Sequence, residues 1–448
     1  MAFGKALHIL AVLLAGWTMA AIAAERPTLM LISIDGLKPE AVLQAEAHGL
    51  SLPNLRAMLA DGVHADGVIG VMPTLTYPSH VTLVTGAAPA RHGVFANTTF
   101  DPLNRNQQGW YWYFEDVRRS TLWDAADKAG LVTANVYWPV SVGAHIRYNL
   151  AQVWRTGQED DRKLQRALST PGLEQELSAG LERYPGGMEE TVAEDEVRAR
   201  YAIALLRRKH PEFITVYLTG LDTEEHKSGP FSAESNQVLE RLDRVVGELR
   251  SAAEAGAKGH AYVAVVSDHG FVAVDHDVNL YAAFLGAGLF DLDDDHKIKD
   301  WRAMPWPAGG SAAIMLKDPA DAATRAKVEA VLGQLAADPA NGIDRVLTAE
   351  QLAAAGGFPD AAWMVAFKPG YELGFAFTPP LVAPPANRGM HGYPPDVAEM
   401  RATFLLVGPG IAKGRGLGVI DMRQIAPTLA ALQRLTLSGA EMPALSVR

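Results

Sequence analysis

A short apolar run that stops abruptly on an acidic turn constrains this chain more than any other feature. Thr28-Leu29-Met30-Leu31-Ile32-Ser33-Ile34 is apolar nearly throughout and ends at Asp35-Gly36. Comparable runs recur at Phe213–Leu218, Ala261–Val266 and 403–407. Continuous apolar runs of this length predict strands buried on both faces. Between them, the stretches 190–208, 233–250 and 324–336 repeat their apolar residues with helical spacing. Buried strands alternating with helices predict an α/β chain built on a central, mostly parallel sheet flanked by helices. No 20–50-residue period repeats, which argues against a solenoid.

With 448 residues and 48% hydrophobic content the chain can bury a large core. Two stretches break the alternation and are expected to be inserted cap or lid segments walling a cleft. One spans about 98–170 and carries Trp110-Tyr111-Trp112-Tyr113-Phe114. The other spans about 272–388 and includes Trp306-Pro307-Ala308-Gly309-Gly310 and the proline-rich stretch 379–385.

The first residues follow a different logic. Lys5 precedes an apolar run over 9–24 that ends in Ala21-Ile22-Ala23-Ala24, ahead of polar Glu25-Arg26-Pro27. This is the pattern of a cleavable secretory signal over 1–24, leaving 25–448 as the mature domain, and it is short for a membrane span. No other segment is long and apolar enough to span. The chain has no cysteine, which rules out disulfides and thiolate metal sites. An exported chain without cysteine fits a bacterial periplasm better than a eukaryotic secretory route, so the expected destination is the periplasm or, beyond it, the medium as a secreted protein. The net charge of −11 argues against a basic face for polymeric nucleic acid. If the substrate is an anion, the attraction must be local, and metal ions would supply it.

Polar residues cluster where the predicted strands end. Asp35 follows the first strand, Asp222 and His226 follow 213–218, Asp268-His269 follow 261–266, and His391 sits between glycines in a loop before 403–407. In open parallel sheets ligands bind beyond the carboxyl ends of the strands, so these side chains should converge. Three Asp and three His suit zinc first, then manganese or iron, and suit calcium poorly. Six ligands exceed one tetrahedral catalytic site and match two sites of three protein ligands each. Two metals ~3.5–4 Å apart can clamp the attacking and leaving oxygens of a phosphoryl displacement. Any one of these residues could equally be a helix cap or a core histidine. Capping alone does not predict carboxylates accompanied by histidines at strand end after strand end.

A nucleophile candidate lies in Met72-Pro73-Thr74-Leu75-Thr76-Tyr77-Pro78-Ser79-His80. Pro78 and the pattern Val81-Leu83-Val84 predict a helix starting near Thr76. A hydroxyl there sits at the positive end of the helix dipole, where an alkoxide and a phosphate are both favoured. Local residues leave two readings open, a nucleophile or an N-cap.

Taken together, Ser33-Ile34-Asp35-Gly36, Pro73–His80 with Thr76, Thr85-Gly86, His92-Gly93 with Asn97, Asp222-x3-His226, Ser267-Asp268-His269-Gly270 and His391-Gly392-Tyr393 resemble the nucleotide pyrophosphatase/phosphodiesterase family of the alkaline phosphatase superfamily. The motifs match in order from Asp35 nearly to the C-terminus. The resemblance implies an alkaline-phosphatase-like fold and two zinc ions, other divalent metals being possible. It implies one zinc on Asp222, His226 and His391, and another on Asp35, Asp268 and His269, with Thr76 completing that ion's ligand set as nucleophile. Asn97 would hydrogen-bond a non-bridging phosphate oxygen, and Tyr77 and Tyr217 would sandwich a nucleobase. The implied reaction is hydrolysis of a small phosphodiester or pyrophosphate of nucleotide type through a phospho-threonine. Three departures loosen any transfer of nucleotide specificity. Ser79 stands where the family usually has Asn, Thr219-Gly220-Leu221 replaces an acidic-proline run, and Glu225 replaces a glycine.

Rival readings on this scaffold are a phosphomonoesterase, which commonly needs an added cation such as Arg91 or Arg388, and a phosphonate hydrolase. A sulfatase needs Cys or Ser where Thr76 stands. A catalytically silent metal-binding protein is the rival from another class.

Overall fold

The computed structural model describes residues 26–106, 109–154, 159–185 and 190–448, so the expected signal segment 1–24 lies outside the described residues. The strand Thr28–Ile34 lies in the middle of the sheet, buried at every position after Thr28. It pairs in parallel with Phe213–Leu218 on one side and Ala261–Val266 on the other. The eight-stranded order is Arg415–Gly416, Val63–His64, Phe404–Val407, Ala261–Val266, Thr28–Ile34, Phe213–Leu218, Thr133–Val136 and Tyr148–Leu150. Only Phe404–Val407 runs antiparallel to its neighbours. Burial on both faces explains why the three central strands read as unbroken apolar runs. Truncating a fully buried residue there, as in Leu31→Ala, costs about 2–5 kcal/mol.

Register sets the site. Ser33 lies opposite Tyr217 and Val266, so the three central strands finish nearly level. Asp35, the turn after Leu218, and Asp268 therefore leave the sheet along one edge. Helices Val192–Lys209 and Ala233–Gly256 pack together and cover the sheet. Each starts on a hydroxyl cap, Thr191 to the Ala193 amide and Ser232 to the Ser235 amide.

The two expected insertions come out differently. Within 272–388 lies a separate antiparallel sheet of Ala303–Pro307, Ser311–Leu316, Trp363–Phe367 and Ile343–Thr348, backed by helix Ala322–Ala337 and its own apolar cluster. The expected insertion over 98–170 needs correction. Thr133–Val136 and Tyr148–Leu150 are strands of the central sheet, extending it in parallel beyond Phe213–Leu218. At four and three residues they are too short to show a period in the sequence.

The second sheet also holds the loop that carries His391. Ser311 Oγ donates to the Gly392 carbonyl at 2.5 Å, and the Gly310 amide donates to the His391 carbonyl at 2.8 Å. The Trp306 indole N–H donates to the Thr98 carbonyl at 3.2 Å, tying this sheet to the aromatic segment.

Candidate active site

The structure brings together the strand-end carboxylates and imidazoles that the sequence singled out. Asp35, Asp268 and His269 form one buried group, and Asp222, His226 and His391 form a second, partly exposed one. The turn after Thr28–Ile34 depends on Gly36, whose φ is +74° and where a Cβ would lie 2.9 Å from the Phe271 ring. Its amide donates to Asp268 Oδ1 at 3.2 Å, joining the first two strand ends. Asp222 and His226 lie one turn apart on helix Gly220–Ser228 and so share a face.

The three histidines are oriented alike. Each Nδ1 faces a backbone carbonyl: Gly389 at 2.9 Å for His226, Thr74 at 3.1 Å for His391, and Gly270 at 3.2 Å for His269. A carbonyl partner keeps the proton on Nδ1 and frees Nε2 as a ligand. The Nε2 atoms indeed point to the carboxylates. His226 and His391 lie 3.5 and 3.7 Å from Asp222 Oδ1, and His269 lies 3.3 Å from Asp35 Oδ1 and 3.1 Å from Asp268 Oδ2.

Those three oxygens, Asp35 Oδ1, Asp222 Oδ1 and Asp268 Oδ2, are buried without a hydrogen-bond partner. Burial, followed by the nearby Asp222 and Asp268 charges, pushes the Asp35 carboxyl well above its usual range. Burial also raises Asp222. Carboxylates crowded in this way, with imidazole nitrogens aimed at them, fit divalent cations. The donor set of oxygen and nitrogen without sulfur matches zinc, manganese or iron.

Thr76 is the first residue of helix Thr76–Thr85, and every residue of that helix is buried. The N-cap is Leu75, with no side-chain cap bond, so the Thr76 hydroxyl does not cap the helix. It lies 3.4 Å from His269 Nε2. Asn97 Oδ1 accepts the Tyr77 amide at 2.9 Å, which satisfies one orphan donor of the helix start and turns the Asn97 amide nitrogen away from it. His80 locks the helix from beneath, with Nδ1 on the Thr76 carbonyl at 2.8 Å and Nε2 on Ser33 Oγ at 2.9 Å. Burial lowers the His80 imidazole to about 4, so it is neutral near pH 7.

A cavity of about 630 Å³ opens over Thr76 and the Asp222 group. Its lining adds Trp110, Gln152, Trp154 and Glu190 on one side and Asp277, Glu372 and Phe375 on another. Tyr77 and Tyr217, expected to sandwich a base, both line the cavity, but their rings are packed among neighbours rather than open to it. The Tyr217 hydroxyl donates to Asp35 Oδ2, its ring stacks on Tyr137 at 6.1 Å, and His80 meets it edge-on at 4.5 Å. Its position beside Ser33 makes it sheet floor, and it is 3% exposed. Tyr77 is equally buried, with its hydroxyl on Gln152 Oε1 at 2.5 Å. Trp110 and Trp154 are partly exposed rings 4.5 Å apart, with Trp110 leaning on Tyr77 at 5.2 Å, and Phe375 on the other wall is exposed. Sequence reasoning flagged Trp110 only within an aromatic patch and missed Trp154, Gln152 and Glu190. Trp154 and Gln152 follow the strand Tyr148–Leu150, so the strand-end rule would have found them had that strand been recognised.

The sequence model of the family described as type I phosphodiesterase / nucleotide pyrophosphatase matches residues 29–394. The chain belongs to this family. A pyrophosphatase/phosphodiesterase of Schizosaccharomyces pombe is 26% identical over 295 residues, covering 60% of this chain and 53% of the relative. Rat ectonucleotide pyrophosphatase/phosphodiesterase family member 3 is 26% identical over 55% of this chain and 25% of its own length. Human bis(5'-adenosyl)-triphosphatase is 25% identical over 56% of this chain and 49% of its own length. The matches thus span about half or less of these relatives. Among solved structures, human ectonucleotide pyrophosphatase/phosphodiesterase 5 aligns over 93% of this chain and 96% of its own at TM-score 0.66 and 20% identity. The murine protein, inactive and in complex with AMP, aligns over 94% and 97% at TM-score 0.67 and 20% identity. These two show that the family's α/β fold extends over nearly the whole chain. No helix among the described residues is long and apolar enough to cross a membrane.

Proposed function

We propose that this protein hydrolyses phosphodiester or pyrophosphate bonds of small nucleotide-type substrates, with Thr76 as nucleophile and two zinc ions as cofactors. The carrying observation is the Thr76 hydroxyl, free of capping, beside His269 and under a cavity shared with the second acid–histidine group. Asp35, Asp268 and His269 would hold one ion and Asp222, His226 and His391 the other. When bound, the ions would lower the Thr76 hydroxyl's pKa and offset charge building on the phosphoryl oxygens.

In this reading, Thr76 Oγ1 attacks phosphorus in line, while the helix start behind it favours the anion. The Asn97 amide, oriented by its bond to the Tyr77 N–H, donates to a non-bridging oxygen. The leaving oxygen departs opposite Thr76, toward the Asp222 group, and water entering on that side hydrolyses the phospho-threonine. The open aromatic faces of Trp110 and Trp154 are suited to stack a base.

Charge favours a diester or pyrophosphate over a monoester, whose extra charge calls for a nearby side-chain cation. Among the described residues, the cavity lining contains acidic, aromatic and neutral side chains without Arg or Lys. Arg91 pairs with Glu441 at 3.6 Å, and Arg388 is outside the lining. The amino-terminal pattern supports export, with a periplasmic or secreted destination. Rates of the purified protein on bis(p-nitrophenyl) phosphate, a nucleotide monoester and a dinucleoside polyphosphate, with and without chelator, test the reading. A preference for the monoester, or turnover indifferent to chelation, would overturn it.

A further inference from the structure

We infer that Asp195 and Arg198 are positioning residues that set the Asp222–His226 helix for metal binding from behind, without touching substrate. The inference rests on the proposal that the Asp222 group holds a metal ion. Helix Gly220–Ser228 begins at Thr219, whose own side chain makes no cap bond. Its first amides are satisfied from another helix instead. Asp195 Oδ1 accepts the Thr219 amide at 3.0 Å and Asp195 Oδ2 accepts the Gly220 amide at 2.7 Å. A carboxylate here meets both the orphan donors and the positive end of the helix dipole.

Arg198 completes the clamp. Its Nη1 donates to Asp195 Oδ1 at 2.8 Å and to Thr219 Oγ1 at 3.0 Å. Asp195 and Arg198 are both fully buried. The two helix starts touch so closely that a Cβ at Gly220 would lie 2.5 Å from the Val192 amide nitrogen. Asp222 is two residues beyond this contact and His226 one turn further, so the clamp fixes where both side chains project. A buried ion pair is a poor source of net stability, and its better-attested use is to specify one arrangement. Toward the other group the pair connects through ring contacts. The Arg198 guanidinium lies 3.8 Å over Tyr137, which stacks on Tyr217, the donor to Asp35. The two metal groups should therefore respond unequally.

The test is zinc binding to the full-length protein, measured by chelator competition. Wild-type protein should take up two equivalents, and His226→Ala identifies the event that belongs to the Asp222 group. In Asp195→Asn, and in Asp195→Asn/Arg198→Met, which removes the ion pair as a unit, that same event should weaken about 10- to 100-fold. The other event should change less than threefold. Unchanged affinity, or equal weakening of both events, overturns the inference. A wild-type protein that takes up no zinc fails the underlying reading instead. Hydrogen exchange of metal-free wild-type protein keeps the test independent of variant folding. The Thr219 and Gly220 amides should be protected before metal arrives, and rapid exchange there would sink the idea.

Discussion

The rings of His269 and His391 stack face to face, 3.6 Å apart and 8° from parallel. One belongs to the Asp35 group and the other to the Asp222 group, so this ring contact joins the two. Without cations the three unpartnered carboxylate oxygens and these imidazoles are held together against their own desolvation. Chelation should therefore abolish hydrolysis and lower the melting temperature together. Saturating metal at a thousandfold above Kd contributes about 4 kcal/mol. Differential scanning calorimetry before and after chelator checks this, and an unmoved transition would contradict it.

Thr76→Ala removes the hydroxyl without removing an acid or histidine ligand. We expect kcat on bis(p-nitrophenyl) phosphate to fall about a thousandfold or more, with zinc content unchanged. Thr76→Ser keeps an attacking oxygen and should retain far more activity. A Thr76→Ala enzyme that kept most of its rate would remove Thr76 from the mechanism.

Asn97 holds the Tyr77 amide, and the proposed mechanism gives it a second, separable job as a donor to phosphate. Asn97→Ala loses the acceptor for the Tyr77 amide and the donor to phosphate, and should cost about 10²–10³ in kcat with some stability. Asn97→Asp keeps the acceptor but presents a negative charge to an anionic substrate. It should lose as much kcat while melting close to wild type. Equal melting losses in both variants would assign Asn97 to structure alone.

What was legible in the sequence follows from how local the signal is. Thr28–Ile34, Phe213–Leu218 and Ala261–Val266 are buried on both faces, so hydropathy alone bounds them, and the acids beyond them fall where strand ends dictate. Helix ends were less sharp, because Thr191 rather than residue 190 caps the helix that begins at Val192. Tyr217 was misjudged because its place depends on tertiary partners, Tyr137, His80 and Asp35, which its neighbours in sequence do not reveal. Trp154 was missed because Tyr148–Leu150 is too short, and with Asn149 too polar, to announce itself as a strand.

Glu372, on the short strand Tyr371–Leu373 that pairs with His276–Val278, gives the cavity wall a pH signature. Burial, beside Asp277, raises its carboxyl to about 7, above the ordinary value of 4.5. The native state then binds more protons than the unfolded chain between these values, so stability falls as pH rises from about 4.5 to about 7. Glu372→Gln should flatten that slope by on the order of 1–2 kcal/mol. Urea melts of both proteins at pH 5 and pH 7.5 decide it, and parallel slopes would refute the assignment.

The aromatic side of the cavity makes the sharpest distinction among substrates. Trp110 and Trp154 present partly exposed rings, whereas Tyr77 and Tyr217 are packed and hydrogen-bonded. A base stacked on an aromatic ring contributes about 1–3 kcal/mol, roughly 5- to 150-fold in affinity. Trp154→Ala should therefore raise KM for a dinucleoside polyphosphate by at least fivefold, while kcat changes little, because no reacting atom is touched. The same change should move kcat/KM for bis(p-nitrophenyl) phosphate less, since its smaller rings gain less from stacking. Tyr217→Phe should leave the KM ratio of the two substrates unchanged and act through Asp35 instead, by loosening a carboxylate whose other oxygen faces the His269 imidazole. If Tyr217→Phe alters base preference and Trp154→Ala does not, the base lies over the tyrosines after all.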